Sequence, residues 1–285
     1  MSVSEWRGQD LRLGHHVTGD APNFMKSDLR GVLLSQYNPY DRASNWVEIR
    51  SGGHGSTFAM ADLREAEISG TWGMASFARA NCAKTRWHDV HAKDCWFDAA
   101  HLVESEFLGL HFQQCSFGGT DLSRSRFVNV VFDTCALRGA RLRRTVNPQL
   151  AASQDPTPLV FQQSDLSGAD LGGLVSENLT LRECTAEGCN FSGARLARSS
   201  FHKSALRHAV FDRARLKGAS FRAADLRWSS FVNADLSGAD LSGADLSGAD
   251  LTGARFEDIV LAWAICEGVR GVEAGRLARI RALAS

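Results

Sequence analysis

Residues 234–253 read ADLSG ADLSG ADLSG ADLTG, one five-residue unit written four times with almost no variation. A period of five matches neither an α-helix nor a β-strand, whose side chains recur about every 3.6 and 2 residues. Short near-exact repeats of this kind point to a solenoid, where each unit buries its apolar residue only by stacking on its neighbours. The register is long. Counted in fives from Phe161 it runs through Leu166, Leu171, Ser176, Leu181, Ala186, Phe191, Leu196 and Phe201 to Leu251, Phe256 and Leu261, nearly all Leu or Phe. Two residues before most of these centres stands a small residue, such as Ser164, Ala169, Cys184, Cys189, Ala194 and Ala234. An earlier block from Trp72 to Leu142 keeps the rhythm in a shifted frame, preceded by Phe24, Leu29 and Leu34, then Phe58, Leu63 and Ile68. One missing residue between Ile68 and Trp72, at a corner, accounts for the last frame slip.

Side-chain volumes support a coil of twenty residues. If residues n and n+20 stack, each side of the coil has its own character. Phe191, Phe211 and Phe231 then share one side, and Phe161, Phe201 and Phe221 the opposite one. The sides between carry Leu206, Leu226 and Leu246, and Leu196, Leu216 and Leu236. Opposed Phe with Leu between fills an interior evenly. Ser176 is small where Leu is expected, but Leu174 is large where Ala is expected, a volume swap that cores tolerate. Ala186 has no such compensation, and a local irregularity is expected there.

The pattern resembles the pentapeptide repeat family, A(D/N)LXX in general form. The resemblance implies an all-β fold, a right-handed quadrilateral β-helix. Each pentapeptide forms one side of a square, four make a coil, and the centre residue and the small residue two before it point inward. Interruptions divide the chain. Residues 1–57 read as an N-terminal cap with partial repeats and a loop, 58–142 as a first β-helix segment, and 161–261 as a second. The stretch 143–160, with Pro148, Pro156 and Pro158, reads as a loop or hinge, because proline cannot donate to a β-ladder. Residues 262–285 read as a C-terminal cap or dimerisation segment, and from about Val272 the five-residue pattern is lost. Leu277, Ile280 and Leu283 or Ala284 fall at helical spacing, which predicts a short C-terminal helix. A solenoid end needs a cover. This segment either caps its own chain or, with Trp263, joins two chains, and the resemblance implies homodimers formed through the C-terminal ends.

Chemistry-bearing motifs are few. The chain has no GxSxG, HExxH or phosphate-loop pattern. Its paired acids recur only because the repeat recurs, and a filled rod offers no deep cavity. A non-enzymatic role without cofactor or metal is therefore expected. Cys95, Cys115 and Cys135 are spaced by twenty and read as small inward hydrophobes in a reduced, cytoplasmic protein. His91 and His111 are also twenty apart and should stack outside, as a solvated pair with no third ligand. The opening MSVSEWRGQDLRLGHH has no signal-peptide character, and no membrane span is expected.

Two functions are compatible with these features. The resemblance implies a partner in type II topoisomerase (DNA gyrase), bound through partial DNA mimicry and protected from a poison or toxin. The alternative is a scaffold rod, an adaptor or effector with an unrelated protein partner. Charge bears on the first. Lys plus Arg and Asp plus Glu are equal at 32, so the chain as a whole lacks the charge of DNA. Locally, Asp235, Asp240, Asp245 and Asp250 occupy one coil, extended by Glu257 and Asp258, with Arg143 and Arg144 upstream. At about 4.8 Å per coil this is one carboxylate per about 1.2 Å of axis, against one charge per about 1.7 Å in duplex DNA. Each aspartate falls on a different side, giving a collar and not a stripe. Sequence-specific contact with nucleic acid is not expected.

Overall fold

The structure is a computed structural model, and it describes residues 15–17, 23–30, 33–35, 46–49, 55–148 and 159–272. The expected C-terminal helix lies outside the described residues. The chain divides into two compact units, Met1–Arg141 and Leu142–Ser285.

Among the described residues of the first unit, seven strands pair in parallel: β1 (His15–Val17), β2 (Leu33–Ser35), β3 (Trp46–Ile49), β4 (Glu67–Gly73), β5 (Arg86–Lys93), β6 (Glu106–Gln113) and β7 (Arg126–Asp133). Their order is β1-β3-β2-β4-β5-β6-β7. Trp87 faces Phe107, and Phe107 faces Phe127, so one coil takes twenty residues. Between β4 and β5 the register shifts, from Ser69 opposite His88 to Gly70 opposite Val90. This is the one-residue slip seen in the sequence. Asp89, with φ of 50°, is the extra residue that the longer coil accommodates.

In the second unit β8 (Leu159–Gln162) and β9 (Thr180–Arg182) pair in parallel. Beyond them the coil is held by single bridges, such as Asp165–Thr185–Ala205–Asp225–Asp245–Ile265, each step twenty residues. At the unit's start, Leu142, Arg144 and Asn147 donate their amides to Asp170, Gly172 and Val175, an offset of twenty-eight residues. The ladder thus takes in Leu142–Asn147, and residues 149–158 of the proline-containing stretch lie outside the described residues.

The pentapeptide is five residues long because each side ends in a tight turn. After the centre Leu241, the chain passes Ser242 and Gly243, and the amide of Ala244 returns a 3.0 Å hydrogen bond to the Leu241 carbonyl. Gly243 has φ of +68°, the left-handed conformation that the third residue of a type II turn requires. Glycine meets that demand without strain, which explains the G of ADLSG. Non-glycine residues, among them Arg213, Trp228 and Trp263, adopt the same conformation at the same position.

The interior is solid. In the first unit Phe24, Phe58, Phe77, Phe97 and Phe117 form one column, with successive rings stacked 4.6–5.0 Å apart. In the second unit Phe191, Phe211 and Phe231 stack at 4.8 and 4.9 Å. The opposite column, Phe201 and Phe221, meets them edge-on at 5.6–5.8 Å. Stacked contact along the axis and edge contact across it are both favoured ring geometries. Buried Trp87 directs its indole N–H to the Thr85 hydroxyl at 2.8 Å, so its polar end is satisfied. Ser176 and Leu174 are both fully buried, as the volume swap requires. Ala186 departs from expectation. Its amide bonds the Ala205 carbonyl at 2.7 Å in an unbroken ladder, because turn and ladder geometry, not the size of the centre side chain, set the backbone there. Among the described residues no helix is long and apolar enough to cross a membrane.

Candidate functional site

The four collar aspartates begin as turn residues. The Asp240 carboxylate accepts from the Ser242 amide at 3.0 Å and from the Ser242 hydroxyl. Asp235 does the same with Ser237, Asp245 with Ser247, and Asp250 with Thr252. These are Asx turns, in which a short side chain stands in for backbone and fixes the corner. The D and S of ADLSG are therefore structural partners.

Each second carboxylate oxygen faces an arginine. Asp235 meets Arg255 at 2.9 Å and Asp240 meets Arg222 at 3.0 Å. Asp245 lies 3.6 Å from Arg227, and Asp250 lies 3.8 Å from Arg270. Burial alone would raise the carboxyl pKa of Asp235 and Asp240. Hydrogen bonds from Ser237 and Ser242, together with Arg255 and Arg222, more than offset it and hold both below the usual carboxylate range. Asp250 is lowered mainly by the Thr252 hydroxyl and amide. The collar thus has the expected arrangement, one carboxylate per side in separate bridge ladders. Spacing by twenty places Arg255 next to Asp235; what periodicity did not single out is that Asp240, Asp245 and Asp250 also face guanidinium groups, those of Arg222, Arg227 and Arg270.

The remaining candidates are dispersed. A Glu257 carboxylate oxygen lies 3.0 Å from the Ser237 hydroxyl oxygen. Asp258 occupies a left-handed corner with φ of 57°. Arg143 lies 3.5 Å from Asp170, and Arg144 is a corner residue. Trp263 is 76% exposed on the last coil, flanked by exposed Val260 and Ile265. The alternation in IVLAWAIC, apolar both inward and outward, is the sequence signal for these two neighbours. Leu277, Ile280 and Leu283 lie outside the described residues. At the same end Leu236, Leu241, Leu246, Leu251, Phe256, Ile259, Leu261, Cys266 and Val269 line an apolar recess.

Nothing here assembles reactive groups. The His91 and His111 rings lie 5.5 Å apart, and His88 Nε2 is 3.0 Å from a Glu67 carboxylate oxygen. No group of three or more His, Cys, Asp or Glu side chains placed to hold a metal occurs among the described residues. The seven cysteines are buried, and none forms a disulfide. Burial pushes the thiol of Cys184 up to about 11 and that of Cys189 up to about 12. The neighbouring thiol of Cys115, with burial, raises Cys95 further. Such thiols are poor nucleophiles.

No curated protein matches the chain by sequence. Among solved structures it is similar to HetL, a pentapeptide repeat protein involved in heterocyst differentiation regulation from the cyanobacterium Nostoc sp. strain PCC 7120, at 19% identity and a TM-score of 0.32, covering 93% of this chain and 89% of that one. It is similar to QnrB1, a plasmid-mediated fluoroquinolone resistance protein, at 18% identity and a TM-score of 0.24, covering 76% and 98%. It also resembles a pentapeptide repeat protein of the Arabidopsis thaliana thylakoid lumen at 30% identity and a TM-score of 0.18, covering 34% and 74%. At TM-scores this low, these similarities decide nothing about role. The family profile described as Pentapeptide repeats matches eight copies, over residues 105–144, 177–213 and 219–258. These stretches are the regular coils described above, and the chain belongs to the pentapeptide repeat family.

Proposed function

We propose that this chain is a non-enzymatic binding protein whose outer sides engage a macromolecular partner, and that the partner is a type II topoisomerase shielded from a poison or toxin. The observation that carries the binding role is the filled interior. Centres from Phe161 to Phe231 are fully buried, and reactive side chains do not converge among the described residues, so a ligand meets the outside of the coil. Family membership and the carboxylate density at 235–250 support the topoisomerase. Imitation of DNA there requires Arg222, Arg227, Arg255 and Arg270 to release their aspartates. These guanidinium groups are exposed, and exposed ion pairs contribute only about 0–1 kcal/mol each. A basic groove on a partner can therefore displace them at small cost. In this reading the apolar end at Trp263, with Leu277, Ile280 and Leu283, joins two chains in a homodimer.

The pairing of every collar aspartate, with the zero net charge, favours a second reading as a scaffold rod for another protein. A gyrase supercoiling and cleavage assay at several protein concentrations separates the two. The topoisomerase reading expects less poison-stabilised cleavage as the protein is added. Unchanged cleavage and no binding by folded protein would leave the scaffold.

A further inference from the structure

Because outer residues align every twenty positions, charge on one side of the coil forms columns. On the side whose centres are Leu196, Leu216 and Leu236, Arg195 and Arg215 are bridge partners in successive coils. Lys217 follows on the same side, and Arg213 stands at the corner that enters it. All four are exposed. The nearby acids are turned to other groups. Asp235, next in the column after Arg215, bonds Arg255 at 2.9 Å. Glu177 bonds Arg198 at 2.9 Å. Asp212 accepts from the Val232 amide at 3.1 Å. None of Arg195, Arg213, Arg215 and Lys217 comes within 4.0 Å of a carboxylate oxygen of a described residue, although Lys217 is near enough to Asp235 to favour its charged form.

The chemistry of this side selects its ligand. Around the four cations the outward residues are mostly polar or small, among them Asp212, Ala197, Arg198 and Gly218, while Val175 and Val146 continue the ladder beyond Arg195. Protein interfaces centre on apolar and aromatic residues, whereas nucleic-acid interfaces are polar and basic, with most contacts to phosphate. Guanidinium forks suit phosphate oxygens. Exposed Trp228 stands at a different corner, so the side lacks an aromatic platform on which unpaired bases stack. We propose that the side bearing Arg195, Arg213, Arg215 and Lys217 binds the phosphodiester backbone of duplex nucleic acid without reading its sequence. This does not rest on the topoisomerase reading, and a negative cleavage assay leaves it intact.

The test is fluorescence anisotropy of a labelled duplex of about 20 base pairs with the full-length protein, in salt from about 50 to 200 mM. The affinity should fall with salt at a log–log slope of about −3.6, since each of four neutralised phosphates contributes about 0.9. Arg213→Glu/Arg215→Glu/Lys217→Glu should weaken binding at least about tenfold and flatten the slope. Lys203 sits on the diagonally opposite corner, also exposed, and Lys203→Glu should leave affinity within about twofold. If circular dichroism shows the triple variant misfolded, Arg215→Gln replaces it and should weaken binding about threefold with a reduced slope. Absence of binding at the lowest salt overturns the proposal. So does an unaffected folded variant, or an equal loss with Lys203→Glu. Polyglutamate bound as tightly as the duplex would reassign the side to acidic protein.

Discussion

Truncating Phe211 tests the stacked interior where the account is most quantitative. Its ring is fully buried, sandwiched between Phe191 and Phe231 at 4.8 and 4.9 Å, and touched edge-on by Phe201 and Phe221 at 5.6 Å. Phe211→Ala removes a side chain whose loss from a packed core costs about 3–5 kcal/mol. The high end applies, because neighbours held by the ladder above and below cannot collapse into the hole, and ring pairs contribute about 0.5–1.5 kcal/mol each beyond burial. Phe256 provides the internal comparison. It is 8% exposed and already borders the apolar recess of the last coils. Truncation there opens less new void, so Phe256→Ala should cost about 2 kcal/mol less than Phe211→Ala. Urea unfolding followed by far-ultraviolet circular dichroism reads both. Because repeats couple mainly to neighbours, the Phe211 variant should show a lower midpoint or a split transition. A cost at Phe211 below that at Phe256 would refute the reasoning, since the ring would then not be held between coils.

Other expectations follow from turns, thiols and charge. Gly243→Ala should cost about 1 kcal/mol, because the left-handed turn disfavours a side chain. Gly248→Ala should cost more, since its Cβ would collide with the Trp228 ring, and adding Trp228→Ala should recover the excess in a double-mutant cycle. A thiol titration of native protein should leave Cys82, Cys95, Cys115, Cys135, Cys184 and Cys189 unreacted until denaturant is added, and rapid modification of any of them would contradict their burial. Asp235, Asp240 and Asp250 have folded pKa values below the unfolded value of about 3.9. Their contribution to stability is present above that value and lost as pH falls through the folded one. Urea midpoints should therefore drop below about pH 4, and Asn at the three positions should flatten that drop while keeping the turn. An Asn triple variant as acid-sensitive as the parent would argue against it. Leu241→Asp should unfold or aggregate the protein by burying an unpaired charge, and parental stability in that variant would contradict the inward assignment.

Periodicity carried the fold far because a pentapeptide encodes its own side and its own corner. The column from Phe161 to Leu261, the Ser176–Leu174 exchange and the slip before Trp72 were all legible, since each concerns which residues share a side. Ala186 was not, because counting side-chain volume overlooks a backbone held by turns. The collar was half legible. Its spacing showed four aspartates on four sides, but the partners lie up to twenty residues away through flexible arginines, as in Asp240 with Arg222. Period analysis sees the Cα column and not where a long side chain leans. The same limit concealed the cluster of Arg195, Arg213, Arg215 and Lys217, which stands out only once the closest contacts of the neighbouring acids are seen to go to Arg198, Arg255 and the Val232 amide.

The twenty-residue coil can be measured directly with nitroxide pairs on outward positions, with the buried cysteines replaced by Ala. Val210 and Ser230 are bridge partners in successive coils, while Ser220, ten residues on, stands on the opposite side. Labels at Val210 and Ser230 should lie about 5 Å apart at the backbone and show strong spin exchange. Labels at Val210 and Ser220 should show none. Exchange in the second pair, or its absence in the first, would contradict the coil from which every surface argument here is built.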